Sequence, residues 1–147
     1  MSNAAMRLDK VHHIAIICSD YERSKRFYTD ILGFPVIRET WRAERRSWKL
    51  DLAVGDHCQI ELFSFPDAPP RPSYPEARGL RHLAFSTDNI DRCVDWLIEN
   101  GVTVEPVRLD ELTGQRFVFF SDPDGLPIEL YEEAVGGCSG GEPGSAG

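Results

Sequence analysis

Two histidines and two glutamates recur at matching places along the chain. His13 lies in the sequence VHHIAI and His82 in LRHLAF, while Glu61 lies in IELF and Glu129 in IELY. Neutral imidazole nitrogens and carboxylate oxygens together suit a divalent first-row metal ion, and the lack of thiolates argues against a closed structural zinc site. The sequence therefore predicts one divalent ion (Zn, Ni, Co, Mn or Fe) bound by these four residues, with open positions for water or substrate.

Strand alternation predicts that the four side chains share one face of a sheet. The aliphatic neighbours of His13 and of His82 would face a helix layer, so both histidines would face the opposite side. A lone strand histidine is usually structural and a glutamate at a sheet end is usually solvated. Four such groups at repeated positions nevertheless favour a metal site, because unpartnered polar groups on a partly buried face are costly. His12, of opposite parity, and His57, in a predicted turn, are predicted not to be ligands.

These residues belong to two copies of one supersecondary unit. In each copy the hydrophobic period changes from that of a strand to that of a helix and back. Helices are predicted over 20–32 and 89–100, each with a polar cap before it (Ser19 or Asp20, Asp88 or Asn89) and a glycine after it. Strands are predicted over 11–17, 34–40, 48–54 and 58–63, and over 80–86, 102–107, 116–121 and 127–131. The pattern predicts an α+β fold in which two βαβββ modules form a curved mixed sheet with a metal-containing cleft.

One domain is expected, over residues 8–133, with its modules at 8–64 and 79–133. The segment 65–78 between them carries five of the ten prolines, which favours an irregular linker, or a lid over the cleft. Residues 1–7 are predicted to be disordered or derived from the expression vector, and 134–147 to be a disordered tail.

Composition limits the classes of partner. The formal charge of −8 opposes binding to nucleic acid or to anionic lipid, and no apolar run approaches the roughly 18 residues of a membrane span. The four cysteines form no Cys-x-x-Cys pair, so neither a disulfide framework nor a zinc knuckle is expected. A cytoplasmic protein that binds a small molecule is the expectation.

Several motifs resemble those of the vicinal oxygen chelate superfamily. They are the two histidine strands, DPDG at 122–125 before IEL at 128–130, and FY at 27–28 leading to LGF at 32–34. The order His, Glu, His, Glu is most similar to glyoxalase I and to small bacterial proteins related to lactoylglutathione lyase. Glu61 favours this group over relatives with three ligands or with Gln at that position. The resemblance implies a metal-dependent isomerisation in which a glutamate moves a proton, and it makes Glu129 the base and Glu61 its counterpart.

The residues that would bind substrate differ from that family. Glyoxalase I usually has an Arg and an Asn that bind glutathione at the positions of Ile17 and Phe65, so the resemblance does not extend to the thiol substrate. Arg45 and Arg46 lie in a segment rich in arginine and tryptophan that suits a carboxylate or phosphate, or is simply a solvated hairpin. Phe117 and Phe119 are predicted to form an apolar cleft wall.

The function predicted from the sequence is that of a metal-dependent, glyoxalase I-like lyase or isomerase acting on a small substrate with adjacent oxygens. The alternatives are a non-catalytic small-molecule binding or resistance protein and a metal-dependent dioxygenase of the same superfamily. The resemblance and the general preference for twofold symmetry favour a homodimer. The site would then form within one chain or across two.

Overall fold

The computed structural model describes residues 6–134. The sequence predicts disordered ends at 1–7 and 134–147. Of these, residues 1–5 and 135–147 lie outside the described residues. The chain divides into two units, Met1–Pro69 and Pro70–Gly147, and each contains one four-stranded sheet. Among the described residues, no helix combines the length and the apolar character that crossing a membrane would require.

The first unit begins with a strand, a helix and three further strands. They are β1 (His13–Cys18), α1 (Tyr21–Arg26), a π-helical turn (Phe27–Ile31), β2 (Val36–Arg42), β3 (Ser47–Val54) and β4 (Cys58–Ser64). The strand order in the sheet is β1-β4-β3-β2. β1 and β4 pair in parallel, whereas the other neighbours are antiparallel.

The second unit repeats this order. Its elements are β5 (Leu83–Thr87), α2 (Ile90–Glu99), β6 (Arg108–Leu109), β7 (Arg116–Ser121) and β8 (Pro127–Glu132). The strands follow the order β5-β8-β7-β6, with β5 and β8 parallel and the others antiparallel. The predicted α+β class and the repeated βαβββ order are therefore confirmed.

Local sequence explains where each helix begins and ends. The side chain of Asp20 accepts the backbone N–H of Arg23, and Asn89 accepts that of Arg92, so each helix has a side-chain cap. Gly33 and Gly101 follow the two helices at φ +80°, a conformation that glycine adopts without a Cβ clash. The first helical segment is one residue longer than the second, and the π-helical turn takes up this extra residue.

Each sheet buries one face against its helix. In the first unit the fully buried aliphatic residues Leu50, Leu52, Ile60 and Leu62 alternate along β3 and β4, and Tyr28 of the π-helical turn is also fully buried. In the second unit the equivalent core residues are Val118, Phe120, Ile128, Leu130, Ile90 and Leu97. Because strand side chains alternate, the residues between these positions face the other side of each sheet.

One predicted strand is wrong. Residues 102–107 do not form a strand; only Val104 makes an isolated bridge, with Phe120, and β6 starts at Arg108. Pro106 lacks a backbone N–H and lies in the middle of this segment, so a continuous ladder cannot form there.

Candidate functional site

His13 and Glu61 lie close together on the exposed face of the first sheet. β1 and β4 pair in parallel with Ala15 opposite Glu61, and the alternation of both strands turns His13 to the same side. The distance from His13 Nε2 to Glu61 Oε2 is 3.6 Å. The His13 side chain is 43% exposed and that of Glu61 is 15% exposed, so a ligand can reach this pair.

The other ring nitrogen of His13 contacts His12. The two Nδ1 atoms lie 3.0 Å apart, and the rings meet edge to face with centroids 5.2 Å apart. In such a contact one Nδ1 carries the hydrogen and the other accepts it. If His13 is the donor, its Nε2 carries a free lone pair directed toward Glu61, as a metal ligand requires.

Lys49 and Asp51 surround Glu61 on the neighbouring strand. Asp51 is buried and directly opposite Glu61 in the β3–β4 register. Lys49 Nζ lies 3.3 Å from Asp51 Oδ1 and 3.9 Å from Glu61 Oε2. The first distance is an ion-pair distance, but its geometry is not that of a hydrogen bond, so Asp51 Oδ1 has no hydrogen-bond partner among the described residues. This half of the candidate site is polar and charged.

His82 and Glu129 form the matching pair in the second unit. Ala84 is opposite Glu129 in the parallel β5–β8 register, as Ala15 is opposite Glu61 in the first unit. His82 Nε2 lies 2.9 Å from Glu129 Oε1. The rings of His82 and Phe119 meet edge to face, with their centroids 5.0 Å apart.

The two glutamates differ in the side chains on the neighbouring strand, which are charged in the first unit and aromatic in the second. Phe119 is opposite Glu129 at the place where Asp51 is opposite Glu61, and Phe117 takes the place of Lys49. The first unit thus gives its glutamate a buried carboxylate and an ammonium as neighbours, and the second unit gives its glutamate two aromatic rings.

The donor sets of both pairs fit a divalent ion. Each pair supplies one imidazole nitrogen and one carboxylate oxygen, which are ligands for Zn, Ni, Co, Mn or Fe. Within residues 6–134 the structure brings together no group of three or more His, Cys, Asp and Glu side chains that could hold a metal. The four predicted ligands are therefore seen as two His/Glu pairs, one in each unit.

A cavity of about 160 Å³ lies in the second unit and includes His82. Part of its wall is the proline-rich segment between β4 and β5, through Arg71, Ser73, Tyr74 and Glu76. The rest comes from Leu80, Arg81, Glu105, Arg108, Phe119 and Pro127, among others. The sequence predicted a linker or a lid in this segment and missed that its polar side chains line a cavity beside a candidate ligand.

The two predicted substrate arginines lie at the β2–β3 turn. Arg45 and Arg46 are exposed there, and the Arg45 guanidinium lies over the ring of Phe65 at 5.7 Å from its centroid. Phe65 also stacks with Phe63, at a centroid distance of 6.2 Å, and Ile17 is 52% exposed. The two positions that hold glutathione in glyoxalase I thus carry apolar side chains here.

The predicted aromatic wall lies beside the cavity of the second unit. Phe119 lines the cavity, while Phe117 packs against it edge to face and stacks on Tyr131. The guanidinium of Arg108 lies over both phenylalanine rings, 5.1 Å and 5.6 Å from their centroids. Sequence reasoning missed this arginine, because it lies between the predicted strands 102–107 and 116–121 and outside both.

Comparison with known proteins identifies the family. The model of the Glyoxalase/Bleomycin resistance protein/Dioxygenase superfamily matches residues 10–130. The chain belongs to this superfamily. The resemblance to vicinal oxygen chelate proteins predicted from the sequence is therefore confirmed.

Several superfamily members are similar over nearly the whole folded region. The chain is 60% identical to Uncharacterized protein YwkD of Bacillus subtilis (strain 168), over 87% of this chain and 100% of that protein. The crystal structure of the glyoxalase family protein from Enterococcus faecalis shares 48% identity and superimposes with a TM-score of 0.80, covering 86% of this chain and 100% of that one.

More distant superfamily members carry names of enzymes. Metallothiol transferase FosB of Staphylococcus epidermidis (strain ATCC 12228 / FDA PCI 1200) is 30% identical, over 86% of this chain and 83% of that protein. Lactoylglutathione lyase of Salmonella typhimurium is 26% identical, over 82% of this chain and 90% of that protein. The superfamily thus includes both transferases and lyases.

Proposed function

We propose that this protein is a metal-dependent lyase or isomerase of the glyoxalase I type, acting on a small substrate with two adjacent oxygens. The observation that carries the proposal is the repeated His/Glu pair, with imidazole-to-carboxylate distances of 3.6 Å and 2.9 Å in equivalent strand registers. The relationship to lactoylglutathione lyase supports the reaction type, and that to FosB supports metal dependence.

Four residues would hold the ion: His13, Glu61, His82 and Glu129. The histidines would bind through Nε2, the nitrogen that faces the glutamate in each pair. When bound, a divalent ion supplies Lewis-acid polarisation of the two substrate oxygens. Each ion would therefore need a first unit, with His13 and Glu61, and a second unit, with His82 and Glu129. The two units would belong to one chain or to two.

Glu129 is the proposed proton carrier. Its carboxylate would accept the proton as the C–H bond next to the substrate carbonyl breaks, while the electron pair moves toward the carbonyl oxygen. It would then return a proton to the adjacent carbon, while the hydroxyl hydrogen on the first carbon passes to the former carbonyl oxygen, so that atoms and charge balance. Glu61 is the less suitable carrier, because the Lys49 ammonium at 3.9 Å favours its role as a fixed anionic ligand. The ring of Phe119 opposite Glu129 would exclude water from the transfer.

Glutathione is not part of the proposed substrate. The apolar side chains of Ile17 and Phe65 offer neither the charge nor the amide that binds glutathione in the family. The proposal also includes the location and the oligomeric state: the protein acts in the cytoplasm, and it forms a homodimer.

Deuterium exchange tests the proton step directly. Protein loaded with Ni, Co, Mn or Zn is incubated in D₂O with two probes, small 2-hydroxy aldehydes and the methylglyoxal–glutathione adduct, and NMR follows the carbon-bound hydrogen. We expect exchange or isomerisation of the hydroxy aldehydes, and a loss of at least roughly 100-fold in the rate per bound metal ion in Glu129→Gln, which should keep much of the metal. The control is Glu111→Gln, at an exposed position outside the site.

Two results would contradict the proposal. Equal rates for Glu129→Gln and the parent protein would remove Glu129 as the proton carrier. Stoichiometric metal with neither exchange nor isomerisation of either probe would favour a binding protein over an enzyme.

A further inference from the structure

The cavity of the second unit is rich in cations although the chain is acidic. Three arginines line it, Arg71, Arg81 and Arg108, against two carboxylates, Glu76 and Glu105. The formal charge of the whole chain is −8. A concentration of guanidinium groups in one small cavity of an acidic protein indicates an anionic ligand.

Two of the three arginines already have acidic neighbours. Arg81 Nη2 lies 2.7 Å from Glu76 Oε2, and Arg108 Nη2 lies 3.7 Å from Glu105 Oε1. The Arg108 guanidinium also lies over the rings of Phe117 and Phe119. Each of these two guanidinium groups is thus already paired with a carboxylate.

Arg71 differs from the other two because its partners are neutral. Its Nε donates to Ser73 Oγ at 2.8 Å, and its Nη2 donates to the carbonyl oxygen of Leu80 at 3.3 Å. Within residues 6–134 no carboxylate lies within ion-pair distance of this guanidinium. Two neutral acceptors thus fix its orientation, while its charge and its Nη1 donors remain available to a ligand.

We propose that Arg71 binds the anionic group, a carboxylate or a phosphate, of a small substrate that occupies this cavity. The inference rests on the proposed function in one respect, because it assigns the reacting end of the substrate to His82 in the same cavity. At about 160 Å³ the cavity is smaller than the roughly 300–1,000 Å³ typical of sites for drug-sized ligands, so the substrate is small.

The guanidinium pair Arg45 and Arg46 is not the anchor in this proposal. Both lie at the β2–β3 turn of the first unit, and neither lines the cavity. The sequence suggested Arg45 and Arg46, beside aromatic rings, as the residues that bind an anion, whereas this proposal places the anion at Arg71.

Calorimetry on the metal-free protein tests the proposal independently of the metal site. Malonate and inorganic phosphate are titrated in turn, as the probes for a carboxylate and for a phosphate ligand. At least one should bind, and Arg71→Gln should weaken its binding by about 10- to 100-fold, because a charge-assisted hydrogen bond is lost. The matched control is Arg78→Gln, an exposed arginine of the same segment that does not line the cavity.

Two further variants keep the test decisive. Arg71→Lys retains the charge but not the planar fork, so it should bind with intermediate affinity. If Arg71→Gln fails to fold, Arg71→Met replaces it, and this variant should weaken anion binding to a similar degree because it also lacks the charge. Thermal unfolding shows whether each variant is folded.

The outcomes separate this proposal from the proposed function. Absence of binding for both probes, or equal weakening by Arg71→Gln and Arg78→Gln, would overturn the role of Arg71. A protein that binds the anion through Arg71 but takes up no metal would uphold this inference and refute the proposed function. Preference for malonate or for phosphate identifies the class of the anionic group.

Discussion

Replacing His12 tests how the first His/Glu pair is prepared to bind an ion. His12 is proposed to be a positioning residue, whose Nδ1 accepts the hydrogen on His13 Nδ1 and so leaves His13 Nε2 free for the metal. His12→Ala removes that acceptor. His13 then loses both its fixed ring orientation and the preference for the tautomer that binds metal, so metal affinity should fall while the stoichiometry stays the same.

The expected magnitude follows from the geometry of the contact. Loss of a hydrogen-bonded partner of a ligating histidine typically weakens metal binding by about 10- to 100-fold, or about 1.4–2.8 kcal/mol. Here the contact is exposed, and its length of 3.0 Å is ordinary, so water can partly replace His12. We therefore expect the lower end, about tenfold.

Competition with a chromophoric zinc chelator measures this change in Kd. His12→Asn should restore most of the affinity, because its carbonyl oxygen can accept the same hydrogen, and ring nitrogen shifts in NMR spectra should report the His13 tautomer. His57→Ala serves as the control, since His57 is exposed in the β3–β4 turn. Wild-type affinity in His12→Ala, or no recovery in His12→Asn, would refute the reasoning.

Two further predictions concern stability. Gly101 has φ +80° with open space around its Cα, so Gly101→Ala should cost only backbone strain of about 1 kcal/mol and lower Tm by roughly 2–8 °C; an unchanged Tm in a calorimetric scan would count against this. Hydrogen bonds from Lys25 and then Tyr21 hold the pKa of Glu39 below its usual value. Ionised Glu39 stabilises the fold fully above the pKa that this residue has in the unfolded state, and the stabilisation is lost as the pH falls through its lower pKa in the folded state. Glu39→Gln should therefore destabilise the protein most at neutral pH and least in acid. Urea unfolding at neutral and at acidic pH measures the free energy of unfolding, with Glu44→Gln, at an exposed position, as the control. Equal destabilisation by Glu39→Gln at the two pH values would contradict the prediction.

Strand parity predicted that the two histidines and two glutamates share one sheet face, and within each unit the structure shows this for one His/Glu pair. Because side chains alternate strictly, the buried Ile60 and Leu62 force Glu61 to the other face, and the same holds around Glu129. The repeat then related one pair to the other. Such inferences need only local sequence and one periodic rule.

Parity failed where the backbone leaves the strand. His12 precedes β1, which starts at His13, so alternation does not govern its side chain, and its contact with His13 could not be predicted.

The cavity was beyond sequence reasoning for a different reason. Residues 65–78 contain turns but no helix or strand, so no periodic rule relates Arg71 to Arg108 or to His82. Their proximity depends on the path of an irregular, proline-rich segment. Proline content predicted the irregularity and carried no information about which side chains would line a cavity.

Metal stoichiometry tests the central claim most directly. After loading and dialysis, elemental analysis should find one divalent ion per chain in the parent protein and in His57→Ala, and much less in His13→Ala and in His82→Ala. If the site spans two chains, mixing these two histidine variants should restore one intact site per mixed dimer; if it lies within one chain, mixing should restore none. Full metal content in both His13→Ala and His82→Ala would contradict the claim that the two pairs bind one ion.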